Sequence, residues 1–254
     1  MLIFNYSNAL MTPLYLAFHL ATVPSVDQFN ASGFLVDSKD LDAILWSYLF
    51  GYLFPLAAIC LAPSGRTRLK LGGVYQQWNL FITASHYISR WFLGFIGAQD
   101  PLTVQDYQHK IRLVYGVAFA LAAIPHWVSN VIFWSAALWP RLFNPNYSAS
   151  LHPRETVLPP NPFSSRQSKD TAEGCTWLIQ WDNIIGTAAA WVWALKLFLD
   201  AHYVIGSFVS FLSIFLKSLL YISVGGPMGL PIGLMWERDE ILSSLAFKSA
   251  SAFG

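Results

Sequence analysis

The stretch CTWLIQWDNIIGTAAAWVWALKLFL, from Cys175 to Leu199, has the length and the apolar composition of a membrane-spanning helix. Asp182 lies near its start. A carboxylate inside such a helix costs about 2.5–3.5 kcal/mol on insertion scales, so it needs a partner, a water-lined cavity or a proton. We therefore interpret Asp182 as a functional acid, with a structural ion pair to Lys217 or Arg90 as the alternative.

The composition extends this interpretation to the whole chain. Of the 254 residues, 55% are hydrophobic and 11% are charged, whereas a soluble domain carries about 25% charged residues. The mean hydropathy is +0.44. These values predict an all-α fold: a single integral membrane domain over residues 1–254, with about seven transmembrane helices around a central cavity. The net charge of +1, without a basic stripe, argues against a nucleic-acid partner, and membrane lipid is the expected surrounding.

Apolar segments separated by polar stretches define the predicted helices. They run roughly over residues 9–23, 41–62, 74–97, 111–138, 175–199 and 204–224, and a shorter last piece covers 225–236, followed by the charged cluster and residues 241–247. Residues 139–174 are rich in proline, serine and charge, so they predict a surface loop that is long enough to act as a lid. We expect a multi-pass protein of the endoplasmic reticulum membrane.

The third segment carries a polar stripe whose members recur at intervals of three and four, the spacing of one helix face. They are Gln76, Asn79, Thr83, His86 and Arg90. A polar stripe in a membrane helix faces either a neighbouring helix, as a seam of hydrogen bonds, or a cavity. In the second case Asn79, His86 and Arg90 are candidates for binding a substrate.

Two other segments also offer two interpretations each. His126 follows Pro125, and Asn130 lies one turn further on, so the pair either makes structural hydrogen bonds or contacts a substrate. In the fifth segment, Gly186 shares a face with Asp182. A small residue beside the acid either leaves room for a ligand or lets another helix approach closely.

A second acidic cluster comprises Glu237, Arg238, Asp239 and Glu240, and it follows the helix-breaking Gly225-Gly226-Pro227. The charge pattern alone is typical of a solvated helix end. Breaking residues at membrane depth, however, are tolerated where the backbone is buried or lines a cavity. The sequence therefore predicts Glu237 as a second catalytic acid beside Asp182, with Asp239 in reserve.

Trp181 and Trp236 each precede one of these acids directly. Aromatic faces stabilise cations by about 0.5–2 kcal/mol each, so both tryptophans are candidates for shielding a cationic substrate. No Asp-Asp-x-x-Asp run and no histidine cluster is present, and Cys60 and Cys175 lack metal-ligand spacing. The sequence predicts no metal site.

Four groups of residues resemble fungal membrane-bound terpene cyclases of meroterpenoid biosynthesis, particularly the ascofuranone type and more distantly the paspaline type. They are Pro13-Leu14-Tyr15 with Phe18-His19-Leu20; Gly51-Tyr52 with Pro55; Gln180-Trp181-Asp182 with Gly186 and Trp193; and Gly226-Pro227 through Trp236-Glu237-Arg238-Asp239-Glu240. The acid that the paspaline branch carries beside an early tryptophan has no counterpart at Trp46 or Trp78.

This resemblance implies an enzyme that folds a prenyl chain, of the farnesyl type, attached to an aromatic or polyketide head group. An acid protonates the terminal epoxide or alkene, and cationic ring closures follow without a metal or any other cofactor. Exclusion of water prevents early quenching of the cation. From the residues alone, a proton-coupled transporter and a sterol-type membrane isomerase remain alternatives, because both use buried carboxylates.

Overall fold

The computed structural model describes residues 8–23, 36–97, 103–148, 150–165 and 167–252, and all regular secondary structure within those ranges is helical. The longer helices are α1 (Asn8–Thr22), α2 (Ser38–Tyr48), α3 (Phe54–Cys60), α4 (Gly65–Tyr75), α5 (Trp78–Phe95), α6 (Val104–Leu138), α9 (Thr171–Val204), α10 (Phe211–Gly225) and α11 (Gly229–Ala252). Two single-turn helices, α7 (Pro145–Ser148) and α8 (Pro153–Thr156), lie in the connection from α6 to α9.

Three of the described helices are long and apolar enough to cross a membrane. They are the continuous helix Ser38–Cys60, α6 and α9, and a fourth span results if α10 and the first part of α11, bent by 120°, count as one. The all-α prediction is confirmed, whereas the seven-helix count stays a prediction. The predicted third segment is divided between α4 and α5, so Gln76 caps α4 and lies before the helix that carries the rest of its stripe.

The helices pack in a sequence that places α6 in the middle. α6 lies against α2 on one side and against α11 on the other. α2 also packs on α5, while α11 packs on α9 and α9 on α1. One buried cluster joins α9 to α11 through Phe198 and Leu234, and another joins α2 to α6 through Leu41, Tyr107 and Ile111.

A π-helical turn, Leu49–Leu53, connects α2 to α3. Pro55 follows it and has no N–H to give to the preceding turn. The N–H of Phe54 reaches back to the carbonyl of Leu49, the wider spacing of a π-helix. Gly51 lies inside this turn, and a Cβ atom there would be 2.5 Å from the Cα of Ile82. The glycine therefore lets this helix and α5 come into backbone contact.

The break between α10 and α11 is stabilised by side chains of two other helices. Gly226 has φ +68°, a backbone conformation that favours glycine, and its Cα lies against the ring of His126. Trp127 donates its indole N–H to the carbonyl of Val224 at 3.0 Å, and Trp191 donates to Pro227 at 2.6 Å. These bonds satisfy carbonyl groups that the interrupted helix cannot pair itself.

Candidate active site

α11 directs the charges of its acidic cluster toward different neighbours, because successive residues of a helix turn by about 100°. Glu237 contacts α10, whereas Asp239 and Glu240 contact α6. All three side chains are half-buried and bonded. The cluster is therefore part of the helix packing and not a solvated helix end.

Asp239 is held by two donors. The Tyr115 hydroxyl donates to its Oδ2 atom at 2.6 Å, and an Nη1–H of Arg238 donates to its Oδ1 atom at 2.6 Å. The Asp239 side chain is 22% exposed and that of Arg238 is 14% exposed. These two bonds fix the direction of the Asp239 carboxyl group, and they can stabilise the carboxylate that remains once it has given up a proton.

Asp239 borders a cavity of about 550 Å³ between α2 and α11, with α6 as its floor. Most of the lining side chains are aliphatic, and the polar ones are three tyrosines, one serine and Asp239 itself. Among the described residues that line this cavity, Asp239 is the one with a charge. The volume falls within the range of about 300–1,000 Å³ that is typical of small-molecule pockets. A carboxyl group that faces an apolar cavity is suited to proton transfer away from water.

Trp236 fixes the tyrosine that binds Asp239. Its ring stacks on Tyr115, with centroids 6.2 Å apart and an interplanar angle of 13°. Its indole N–H donates to the Oε1 atom of Glu240 at 2.9 Å, and Arg112 donates to the same oxygen at 2.7 Å. Trp236 is thus placed beside the site of Asp239, where it supports the phenol ring.

Glu237 belongs to a different group of residues. It accepts hydrogen bonds from Lys217 and from the hydroxyl of Tyr221, both on α10. Lys217 also lies 5.4 Å from the centre of the Phe198 ring. Glu237 is absent from the lining of the cavity that Asp239 borders.

Asp182 holds the beginning of α1. Its Oδ2 atom accepts from the backbone N–H of Asn8 at 3.1 Å, and its Oδ1 atom accepts from that of Ala9 at 2.7 Å. The first N–H groups of a helix have no partner within the helix, so a carboxylate there satisfies them and interacts favourably with the helix dipole. The two cations that the sequence offered as its partners bind elsewhere: Lys217 binds Glu237, and Arg90 binds Asp37 and Asp40.

The two residues before Asp182 hold the connection that precedes α9. The Gln180 amide donates to the carbonyls of Glu155 and Thr156 at 2.9 and 2.8 Å. The indole N–H of Trp181 donates to the carbonyl of Pro160 at 3.2 Å. This part of α9 therefore connects three segments. Gln180 and Trp181 bind the connection that precedes α9, and Asp182 binds α1.

Gly186, on the same face of α9 as Asp182, lets α1 approach closely. The sequence left open whether this glycine makes room for a ligand or for another helix, and the structure places a helix there. A Cβ atom at Gly186 would be 2.2 Å from the Nδ2 atom of Asn8. Further along the same face, the indole N–H of Trp193 donates to the Nδ1 atom of His19 at 3.2 Å. This face of α9 is covered by α1 over about three turns.

Asp182 and Glu237 lie far apart along the helix axes. α9 and α11 run in the same direction, since Trp191 contacts Pro227 near the start of α11 and Phe198 packs with Leu234 further on. Phe198, which is near Lys217 and hence Glu237, is sixteen residues after Asp182. That distance is about 24 Å at about 1.5 Å per residue. The two acids therefore lie at different depths.

The polar stripe of α5 forms a seam with α2. Arg90 binds Asp40 at 2.5 Å and Asp37 at 3.0 Å, and the Nε2 atom of His86 lies 3.3 Å from Asp40. Asp37 also caps α2 by accepting from the N–H of Lys39. Of the two interpretations from sequence, these contacts match the seam of polar bonds between helices.

The remaining predicted binding residues lie outside the cavity lining. Asn79 is half-buried in the first turn of α5. His126 packs on Gly226, and the amide nitrogen of Asn130 donates to the carbonyl of His126 at 2.9 Å. Both residues of this pair therefore contribute to the packing of α6 beside the break before α11.

Sequence reasoning missed three residues that the structure places at the cavity or beside it: Tyr48, Tyr107 and Arg238. The two tyrosines lie among many aromatic residues, and their spacing carries no distinguishing signal. Arg238 was visible as the single cation inside the acidic cluster. It adjoins both Glu237 and Asp239, so its place in the sequence does not show which of the two acids it binds.

A family model described as the CtvD domain matches residues 1–243 of the chain. This chain belongs to the CtvD domain family. The resemblance to fungal terpene cyclases that the four groups of residues indicate is confirmed by this match and by three relatives that carry that name.

The relatives of this CtvD domain are distant in sequence. Terpene cyclase ascI of Acremonium egyptiacum is 26% identical over 251 residues, which cover 95% of this chain and 62% of that protein. Terpene cyclase sdgD of Emericella nidulans is 22% identical, over 94% of this chain and 60% of that protein. Terpene cyclase ctvD of Aspergillus terreus is 23% identical, over 91% and 64%. The chain spans less than two thirds of each relative, and no solved structure matches it.

Proposed function

We propose that this chain is a terpene cyclase that closes rings in the prenyl chain of an aromatic or polyketide substrate, with Asp239 as the proton donor. The observation that carries the proposal is the position of Asp239, a carboxyl group at the edge of an otherwise apolar cavity of about 550 Å³. Membership of the CtvD domain family and the names of the relatives support it.

The reaction begins when protonated Asp239 transfers its proton to the terminal epoxide oxygen, or to the terminal alkene, of a farnesyl-type chain. A carbocation develops, and neighbouring double bonds attack it to form the new carbon–carbon bonds. The resulting carboxylate accepts hydrogen bonds from Tyr115 and Arg238, which stabilise it at the moment when it forms. The last cation then loses a proton from the carbon next to its cationic centre, to the substrate's surroundings or to the Asp239 carboxylate. One proton returns to Asp239 in each cycle, so the product is an isomer of the substrate.

The side chains around Asp239 suit a carbocation intermediate. The rings of Tyr48, Tyr107 and Tyr115 line the cavity and offer faces that attract cations. The aliphatic side chains that make up most of the wall bring no nucleophile that would trap the cation. We propose that the other two acids act as scaffold, with Asp182 holding α1 and Glu237 binding α10.

We further propose that the chain is a single multi-pass domain of the endoplasmic reticulum membrane, from which a hydrophobic substrate partitions directly into the cavity. The three described helices that could cross a membrane, or four with the bent pair, support a membrane location. A bundle of about seven helices is part of this proposal. The proton-initiated reaction uses carboxyl and hydroxyl groups of the chain itself.

The proposal is tested by expressing the chain in microsomes and supplying a farnesylated phenol epoxide. We expect cyclised product from the unmodified chain and a loss of at least about 100-fold with Asp239→Asn, the contribution typical of a general acid. Asp106→Asn is the matched control, because Asp106 bonds to Thr103 at the start of α6 and is outside the cavity lining. Full cyclisation by Asp239→Asn contradicts the assignment, whereas a sterol double-bond shift or substrate flux without product supports the other two functions.

A further inference from the structure

The hydroxyl groups that line the cavity differ in whether they already donate a hydrogen bond to the protein. Tyr107 donates to the carbonyl of Val36 at 3.0 Å, and Tyr115 donates to Asp239. Ser243 donates to the carbonyl of Glu240 at 3.1 Å. The hydroxyl of Tyr48, which also lines the cavity, makes no hydrogen bond with any residue that the structure describes.

Tyr48 lies toward the opposite end of the cavity from Asp239. Tyr115, the partner of Asp239, packs against the cluster that contains Leu41. Tyr48 is seven residues beyond Leu41 along the same helix, which is about 10 Å at about 1.5 Å per residue. The cavity therefore has a carboxyl group near one end, a phenol near the other and apolar side chains between them.

We propose that Tyr48 binds the oxygen of the substrate's head group by a hydrogen bond, so that the prenyl chain extends from Tyr48 to Asp239. This inference rests on the proposed function and adds the direction of the substrate and the chemistry of its head group, a phenol or carbonyl oxygen. The terminal end of the chain then lies at Asp239, and the head group lies at the end of α2, beside the π-helical turn.

The position of Tyr48 is fixed from outside the cavity. Its ring packs edge-on against Tyr52, with centroids 6.4 Å apart, and Tyr52 packs in the same manner on Trp78 at 5.9 Å. A phenol that is held by aromatic neighbours loses little freedom when it binds a ligand, which favours a directional contact. Tyr52 is outside the cavity lining, one turn further along the helix, and is therefore the matched control.

The test compares two substrates in each enzyme: farnesylated phenol epoxide and the same compound without the phenol hydroxyl. We expect the unmodified chain to prefer the phenol by roughly three- to tenfold in kcat/KM, the effect of one neutral hydrogen bond, mainly through KM. Tyr48→Phe should lose this preference, so that kcat/KM becomes equal for the two substrates, while Tyr52→Phe keeps the preference. The ratio is internal to each enzyme, so it is insensitive to expression level.

An unchanged preference in Tyr48→Phe overturns the inference while the proposed function stands. If neither the unmodified chain nor its variants form a cyclised product, the proposed function fails. A direct binding measurement then tests whether Tyr48 binds the head group. The probe is then the phenol with a fully saturated farnesyl chain, its affinity measured by tryptophan fluorescence against that of its deoxy analogue. Tighter binding of the phenol to the unmodified chain but not to Tyr48→Phe supports the site, and equal binding of both compounds to both enzymes overturns it.

Discussion

Replacing Asp182 by alanine removes the acceptor for two backbone N–H groups at the start of α1. The carboxylate binds the N–H of Asn8 and that of Ala9, as an N-cap side chain does. Loss of an N-cap costs about 0.5–2 kcal/mol, and loss of the favourable charge at the helix N-terminus costs about 0.3–1 kcal/mol. We expect Asp182→Ala to lower stability by about 1–3 kcal/mol, and Tm by about 2–4 °C for each kcal/mol.

The same reasoning predicts that chemistry survives the substitution. Asp182 is absent from the cavity lining, and its bonds go to α1. The folded fraction of Asp182→Ala should therefore form the same product, with kcat within a few-fold of the unmodified chain. Stability is measured by heating the detergent-solubilised protein before size-exclusion chromatography, and activity is measured on the fraction that stays monodisperse.

Asp200→Ala is the control on the same helix. Asp200 pairs with Lys196 one turn before it, and such exposed pairs contribute about 0.3–0.5 kcal/mol, so its Tm should change little. Asp182→Asn separates the two roles of Asp182, because the amide keeps one acceptor oxygen and loses the acid. A protein with Asp182→Asn that melts like the unmodified chain and has lost activity 100-fold would refute the assignment of Asp182 to the scaffold.

Three further substitutions test the packing that places Asp239. Gly51→Ala should destabilise the protein by about 1–3 kcal/mol because the new Cβ meets the backbone of α5. Gly116→Ala is the control: its Cβ enters open space, so the protein should become slightly more stable in the same melting assay. Equal Tm values for the two variants contradict this. Trp191→Phe removes the hydrogen bond to the exposed carbonyl of Pro227, so we expect a loss of about 0.5–1.5 kcal/mol and increased proteolysis at the break after α10. Unchanged proteolysis argues against this role. Lys217→Met should cost about 1–3 kcal/mol because Glu237 loses its cation at a half-buried helix contact, and adding Glu237→Gln should recover most of this loss. A double variant no more stable than the single one would rule out the pair.

The sequence predicted the helical class and the local character of α11. The Gly225-Gly226-Pro227 break is visible because glycine and proline disfavour a continuous helix. The start of a new helix there, which carries Glu237 in its interior, follows from the apolar residues beyond it. These features are local, so composition and spacing are sufficient to find them.

The partners of the acids could not be predicted in the same way. Asp182 binds backbone N–H groups of α1, more than 170 residues away in sequence, and backbone groups leave no trace in the pattern of side chains. The choice between Glu237 and Asp239 depends on the rotation of α11 about its axis. Each position along the helix turns by about 100°, so Glu237 and Asp239, which are two positions apart, point to nearly opposite sides of α11. That rotation is set by contacts with α6 and α9, which one sequence does not contain.

The residues that carry the resemblance to the terpene cyclases mostly hold helices together. His19 accepts from Trp193, Gly51 brings two helices into contact, and Asp182 binds α1. Of the acids in these groups, Asp239 alone among the described residues lines the cavity. Because Tyr48 lines the cavity outside these groups, we expect positions such as this one to determine which head group is accepted.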